Sequence, residues 1–76
     1  MSHEGRRTVY VKLLDEGVDV WRPVEAVQLP DGRYRLERTL DYDPELETWK
    51  FLPGSPVRCE LRQLSDGPAF VAVSEN

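Results

Sequence analysis

Turn-forming residues cut this chain into six short segments, and no segment carries a long amphipathic helical repeat. The segments 8–14, 18–29, 33–38, 49–52, 57–64 and 69–73 are separated by Asp15-Glu16-Gly17, by Pro30-Asp31-Gly32, by an acidic stretch from Thr39 to Thr48, by Pro53-Gly54-Ser55-Pro56 and by Ser65-Asp66-Gly67. Short β-prone runs between turns specify a barrel or a sandwich of strands. A chain of 76 residues holds one domain with one core and is too short for a sandwich of immunoglobulin size. The expected fold is mainly β: a small five- to six-stranded antiparallel barrel with at most one short helical turn.

The faces of these strands follow from period-2 alternation. Val9, Val11 and Leu13 share one face of the first segment. In the second, Val18, Val20, Val24 and Ala26 share a parity, whereas Val27 and Leu29 take the other. Pro23 interrupts this run and has no N–H to give a ladder, which predicts a bend or bulge there, or a place at a sheet edge. Pro30-Asp31-Gly32, with Gly32 able to adopt positive φ, predicts a hairpin whose returning strand turns Tyr34 and Leu36 one way and Arg33, Arg35 and Glu37 the other. Asp43 is suited to cap a helical turn that starts at Pro44. The cleanest alternation sets Val57, Cys59 and Leu61 inward against Arg58, Glu60 and Arg62 outward. Residues 1–7 are polar and read as a flexible arm, 8–73 as the domain and 74–76 as a fraying end.

This order of elements, with a bent second strand at Trp21-Arg22-Pro23, the Pro30-Asp31-Gly32 hairpin and an aromatic fourth strand, resembles SH3-like and Tudor-like barrels from Thr8 to Val73. The stretch from Leu13 to Val24 is also similar to the opening of short bacterial proteins of unknown function. The resemblance implies a fold and no activity.

Fourteen acidic residues against ten basic ones give a net charge of −4, which repels a phosphate backbone at long range and disfavours nucleic acid. No apolar run approaches the roughly 20 residues of a membrane helix, and no apolar leader opens the chain, so a cytoplasmic protein is expected. Cys59 is the single cysteine; it can form neither an internal disulfide nor a cysteine-cluster zinc site, and it is expected to be a small core residue. His3 is the only histidine and lies in the arm, so no Ser-His-Asp or Cys-His arrangement can be assembled from the domain. Asp41, Asp43, Glu45 and Glu47 superficially suggest calcium ligands, but Leu46 and Leu52 occupy the positions where an EF-hand loop needs glycine and a bidentate acid. The expectation is therefore a protein that is not an enzyme and needs no catalytic residue, cofactor or metal.

Three surfaces remain as candidate sites. Trp21, Tyr34, Tyr42, Trp49 and Phe51, with Asp41 or Asp43 beside them, have the composition of an aromatic cage for a methylated cation, although a small core needs most of these rings for packing. Trp21, Arg22, Tyr42 and Trp49 are the residues singled out for a protein or peptide partner. Arg33, Arg35, Arg58 and Arg62 form an outward stripe that an anionic partner, nucleic acid included, would need, but Glu37 and Glu60 share its faces and cross-strand ion pairing accounts for it. Open sheet edges also allow association of two copies, giving a monomer or a weak homodimer.

Overall fold

Alternation along the first strand decides where the core lies. In Arg6–Leu14 (β1) the odd residues Val9, Val11 and Leu13 are buried, and Tyr10 and Lys12 lie on the opposite face. The computed structural model describes residues 5–40 and 42–75. Asp41, weighed above as an anionic neighbour, and His3 lie outside the described residues. β1 starts at Arg6, two residues within the segment expected to be an arm, because the Gln28 N–H donates to the Gly5 carbonyl at 2.6 Å and carries the ladder to that end.

The other strands are Trp21–Gln28 (β2), Tyr34–Leu36 (β3), Thr48–Trp49 (β4), Pro56–Leu64 (β5) and Gly67–Ser74 (β6). Antiparallel ladders join β1 to β2, β2 to β3, β3 to β5 and β5 to β6. β6 then returns to β1 through Tyr10↔Val71, and this pairing is parallel. The expectation of a wholly antiparallel sheet is corrected here, and the reason is one of counting. A closed circuit through β1, β2, β3, β5 and β6 has an odd number of strands, so directions cannot alternate all the way round. β4 sits outside the circuit and pairs with β1 through Leu13↔Trp49 and Leu14↔Thr48.

The core inside this ring of hydrogen bonds joins Val9, Val11 and Leu13 to Val24, Ala26, Tyr34, Leu36, Trp49, Phe51, Val57 and Ala72. The hairpin at Pro30-Asp31-Gly32 forms as expected, with Gly32 at φ 93° and its N–H donating to the Leu29 carbonyl at 3.0 Å. Asp43 accepts the Glu45 N–H on Oδ1 at 2.9 Å, and its carbonyl takes the N–H groups of Leu46 and Glu47 at 2.9 and 3.0 Å, a single capped turn.

Pro23 puts no bulge in β2. The β1–β2 register is unbroken from Arg6↔Val27 to Lys12↔Trp21. The Glu25 carbonyl faces away from β1, accepting the Glu37 N–H at 2.9 Å, so Pro23, two residues earlier, presents its missing donor to the same side. Within β2, β3 pairs only with Ala26, Val27 and Gln28, and the edge beside Pro23 carries no ladder among the described residues, a position where a strand tolerates proline.

Two inward expectations fail. Val18 falls in the β1–β2 loop and is 76% exposed. Leu61 is 68% exposed, although Val57 on the same strand face is fully buried. β5 and β6 run on past the core as a two-stranded ribbon, so the alternation of β5 continues where the described residues cover little of its apolar face.

Candidate functional site

The four residues singled out for a partner divide between two places. Arg22, Tyr42 and Trp49 meet at the end of the core. Even residues of β2 face inward, which directs Arg22 to that end, and the odd parity shared by Leu13 and Trp49 carries the indole beneath the sheet, where it is 1% exposed. Tyr42 packs edge-on against Trp49 with ring centroids 4.8 Å apart. Trp49 Nε1 donates to Glu47 Oε1 at 3.0 Å, and the same oxygen lies 3.7 Å from Arg22 Nε. Glu47, two residues before Trp49, thus accepts from the buried indole and sets its charge against a partly buried guanidinium. This cluster closes one end of the core, with Trp49 buried and Arg22, Tyr42 and Glu47 partly exposed. Tyr34 and Phe51 are buried like Trp49, so three of the five rings of the expected cage serve packing, while Tyr42 and Trp21 are partly exposed.

Trp21 is on the other side of the sheet. Its odd position in β2, opposite Lys12, places it on the outer face with Tyr10, Lys12 and Pro23. One cleft beside it, of about 340 Å³, is lined by Tyr10, Asp19, Val20, Leu64 and residues 65–69. A second, of about 230 Å³, runs along its other flank past Lys12, Lys50, Arg62 and residues 71–73. Val71 is buried without belonging to the main core, which makes it part of a small apolar layer on this outer face. The two clefts differ in charge. Asp19 and Asp66 border the first, and Lys12, Lys50 and Arg62 border the second. Lys12 Nζ lies 3.3 Å from Asp19 Oδ1 and joins the two sides across Trp21. Long cationic side chains of this kind lay their methylenes on apolar surface and keep their charged heads in water.

Three of the four arginines of the stripe pair with an acid two residues away. Arg33 Nε meets Asp31 Oδ2 at 2.8 Å, Arg35 Nε meets Glu37 Oε2 at 3.2 Å, and Arg62 Nη2 meets Glu60 Oε1 at 2.9 Å. The pairs form between residues two apart rather than across strands as expected. The Arg33 N–H and guanidinium together hold the Asp31 carboxyl below its ordinary range. Cys59 is half-buried rather than fully in the core, and desolvation pushes its thiol up to about 11 despite the nearby charge of Arg7. A thiol that stays protonated at neutral pH is a poor nucleophile.

Tyr10, Lys12, Lys50 and Leu64 escaped the sequence reading. Tyr10 and Lys12 carry a signal in retrospect, since they are the residues β1 turns away from its apolar face. Lys50 and Leu64 carry none, because the β4–β1 pairing brings Lys50 beside Lys12 and the β6–β1 pairing brings Leu64 to Trp21. No helix of the described residues is long and apolar enough to cross a membrane. Comparison with family models, with curated proteins and with solved structures finds no match for this chain.

Proposed function

We propose that the closed circuit of strands is a small barrel of the SH3-like kind, acting in the cytoplasm as a non-enzymatic protein-interaction module that binds an extended peptide segment across Trp21. The observation that carries this reading is the placement of Trp21 between two clefts of opposite charge on an outer sheet face. Partly buried tryptophan flanked by cations is the usual composition of an interface anchor. A segment that fits has an apolar side chain against Tyr10 and Trp21 and an acidic one toward Lys12, Lys50 and Arg62. The pairing of three of the four stripe arginines with nearby acids favours a protein partner over nucleic acid.

The test is selection of displayed random peptides on the wild-type protein, followed by anisotropy titrations of the enriched peptides against wild type, Trp21→Ala and Lys50→Glu. Enriched peptides should carry an acidic residue next to an apolar one. Their affinity should fall on the order of tenfold or more with Trp21→Ala, the loss typical of an anchor residue. Equal affinity for Trp21→Ala, or tight salt-sensitive binding of a DNA or RNA oligonucleotide in its place, would overturn the reading.

A further inference from the structure

We propose that the outer edge of β5 pairs with the same edge of a second copy of this chain, antiparallel and centred on Leu61, to make a two-fold dimer with a continuous sheet. Backbone parity supplies the first step. The Leu36 N–H donates to the Ser55 carbonyl at 3.1 Å, and Tyr34 pairs with Val57. Odd residues of β5 therefore direct their N–H and C=O groups toward β3. The β3 ladder ends at Val57, and the register shift in the β5–β6 pairing is taken up by β6, which skips Val73 between Arg58↔Ser74 and Cys59↔Ala72. β5 thus keeps its parity, and Cys59, Leu61 and Gln63 present their backbone groups to an edge that no ladder of the described residues covers. An uncovered, regular edge is a template for strand addition.

Charge selects the register. In an antiparallel self-pairing centred on Glu60, Glu60 faces its own copy and Arg58 faces Arg62. Centred on Arg62, two arginines collide. Centred on Leu61, Glu60 of each copy faces Arg62 of the other, in non-hydrogen-bonded pairs where side chains come closest. The same register pairs Cys59 with Gln63 of the second copy and Leu61 with Leu61, so every outward backbone group of these three residues finds a partner. On the other face, Leu61 lies beside Phe70 through the β5–β6 ladder, and the dimer joins two such pairs into one apolar strip across the shared sheet. This gives the 68% exposed Leu61 a covered environment that the single chain lacks. Space for the second strand exists at the Cys59 end, where Gly32, Arg33 and Arg58 border an open cleft of about 200 Å³. The Glu60–Arg62 contact within one chain is exposed and contributes little, so exchanging partners costs little. Such a surface is self-complementary, as a two-fold interface requires.

Sedimentation equilibrium over a wide concentration range tests this with charge exchange. Wild type should approach twice the chain mass of 8.8 kDa as concentration rises. Glu60→Arg alone and Arg62→Glu alone each place like charges opposite at both symmetric positions and should weaken self-association on the order of tenfold. The two single variants mixed should recover dimer, because each then meets its complement, and the double variant E60R/R62E should dimerise as wild type does. Unchanged circular dichroism of the single variants separates loss of pairing from loss of fold. A wild type that stays at the chain mass throughout, single variants that dimerise like wild type, or a mixture that fails to recover dimer would each overturn the proposal.

Discussion

β1 and β5 are both nine-residue strands with apolar residues at alternate positions, yet they bury very different things. In β1 the apolar face is covered along its length, with Val9 and Val11 fully buried and Leu13 at 7% exposure. In β5 burial decays from Val57, fully buried, through half-buried Cys59 to Leu61 at 68%. The difference lies in what stands opposite. β1 has β2 along one edge and β4 and β6 along the other, and the circuit curls its inner face over the core. β5 leaves β3 at Val57 and continues with β6 alone. Alternation specifies a two-faced strand, and topology decides whether anything covers the apolar face.

The most direct way to break this contrast is to make the same substitution in both strands. Leu13→Ala should cost about 3 kcal/mol, within the roughly 2–5 kcal/mol range for a buried leucine truncated in a core. Leu61→Ala should lie within about 0.5 kcal/mol of wild type, as for surface changes elsewhere. Urea unfolding at low protein concentration, where self-association does not contribute, measures both. Similar losses would mean that Leu61 is covered within the single chain, and the account of β5 as a ribbon running beyond the core would fail.

The charges attached to the two regions sharpen the same point. Glu47 accepts from the buried indole of Trp49, which packs beneath β1, whereas Glu60 pairs with Arg62 in the open on β5. Glu47→Ala leaves a buried N–H without its acceptor and should cost about 1–3 kcal/mol, and Glu47→Gln, which keeps a carbonyl oxygen there, should cost less. Glu60→Gln should change stability by less than about 1 kcal/mol. Thermal melts of the three variants at one ionic strength check the order; an equal effect at both sites would remove the distinction between a supporting carboxylate and a solvated one.

These contrasts also mark what the sequence made legible. The core faces of β1 and of Tyr34-Arg35-Leu36, the Gly32 hairpin and the Asp43 cap follow from nearest-neighbour chemistry, and all are present. The parallel β1–β6 link was not legible, because it depends on how many strands share the circuit. Nor was the exposure of Leu61, whose local pattern matches that of a core strand. Of the candidate site, the sequence picked out Trp21 by composition but grouped it with Trp49, and only the parity of β2 sends one indole outward and the other pairing sends its counterpart in. The cations around Trp21 come from β1, from the residue after β4 and from β5, three places that no local pattern connects.

Cys59 stands midway along β5 and reports how far the cover reaches. Its thiol is raised by desolvation from 9.0 to about 11. The sign of the consequence is fixed by linkage. Below the unfolded value near 9.0 both states hold the proton and folding is unaffected by this group. As pH rises from 9.0 toward 11 the unfolded chain ionises while the folded one does not, and the stability present at lower pH is progressively lost. The effect is modest because the side chain is only half-buried. Rates of iodoacetamide alkylation across pH should show a midpoint near 11 for the native protein and near 9.0 for the same protein unfolded in urea. A native midpoint at the unfolded value would place Cys59 with Leu61, outside the cover, and would move the boundary between core strand and ribbon back to Val57.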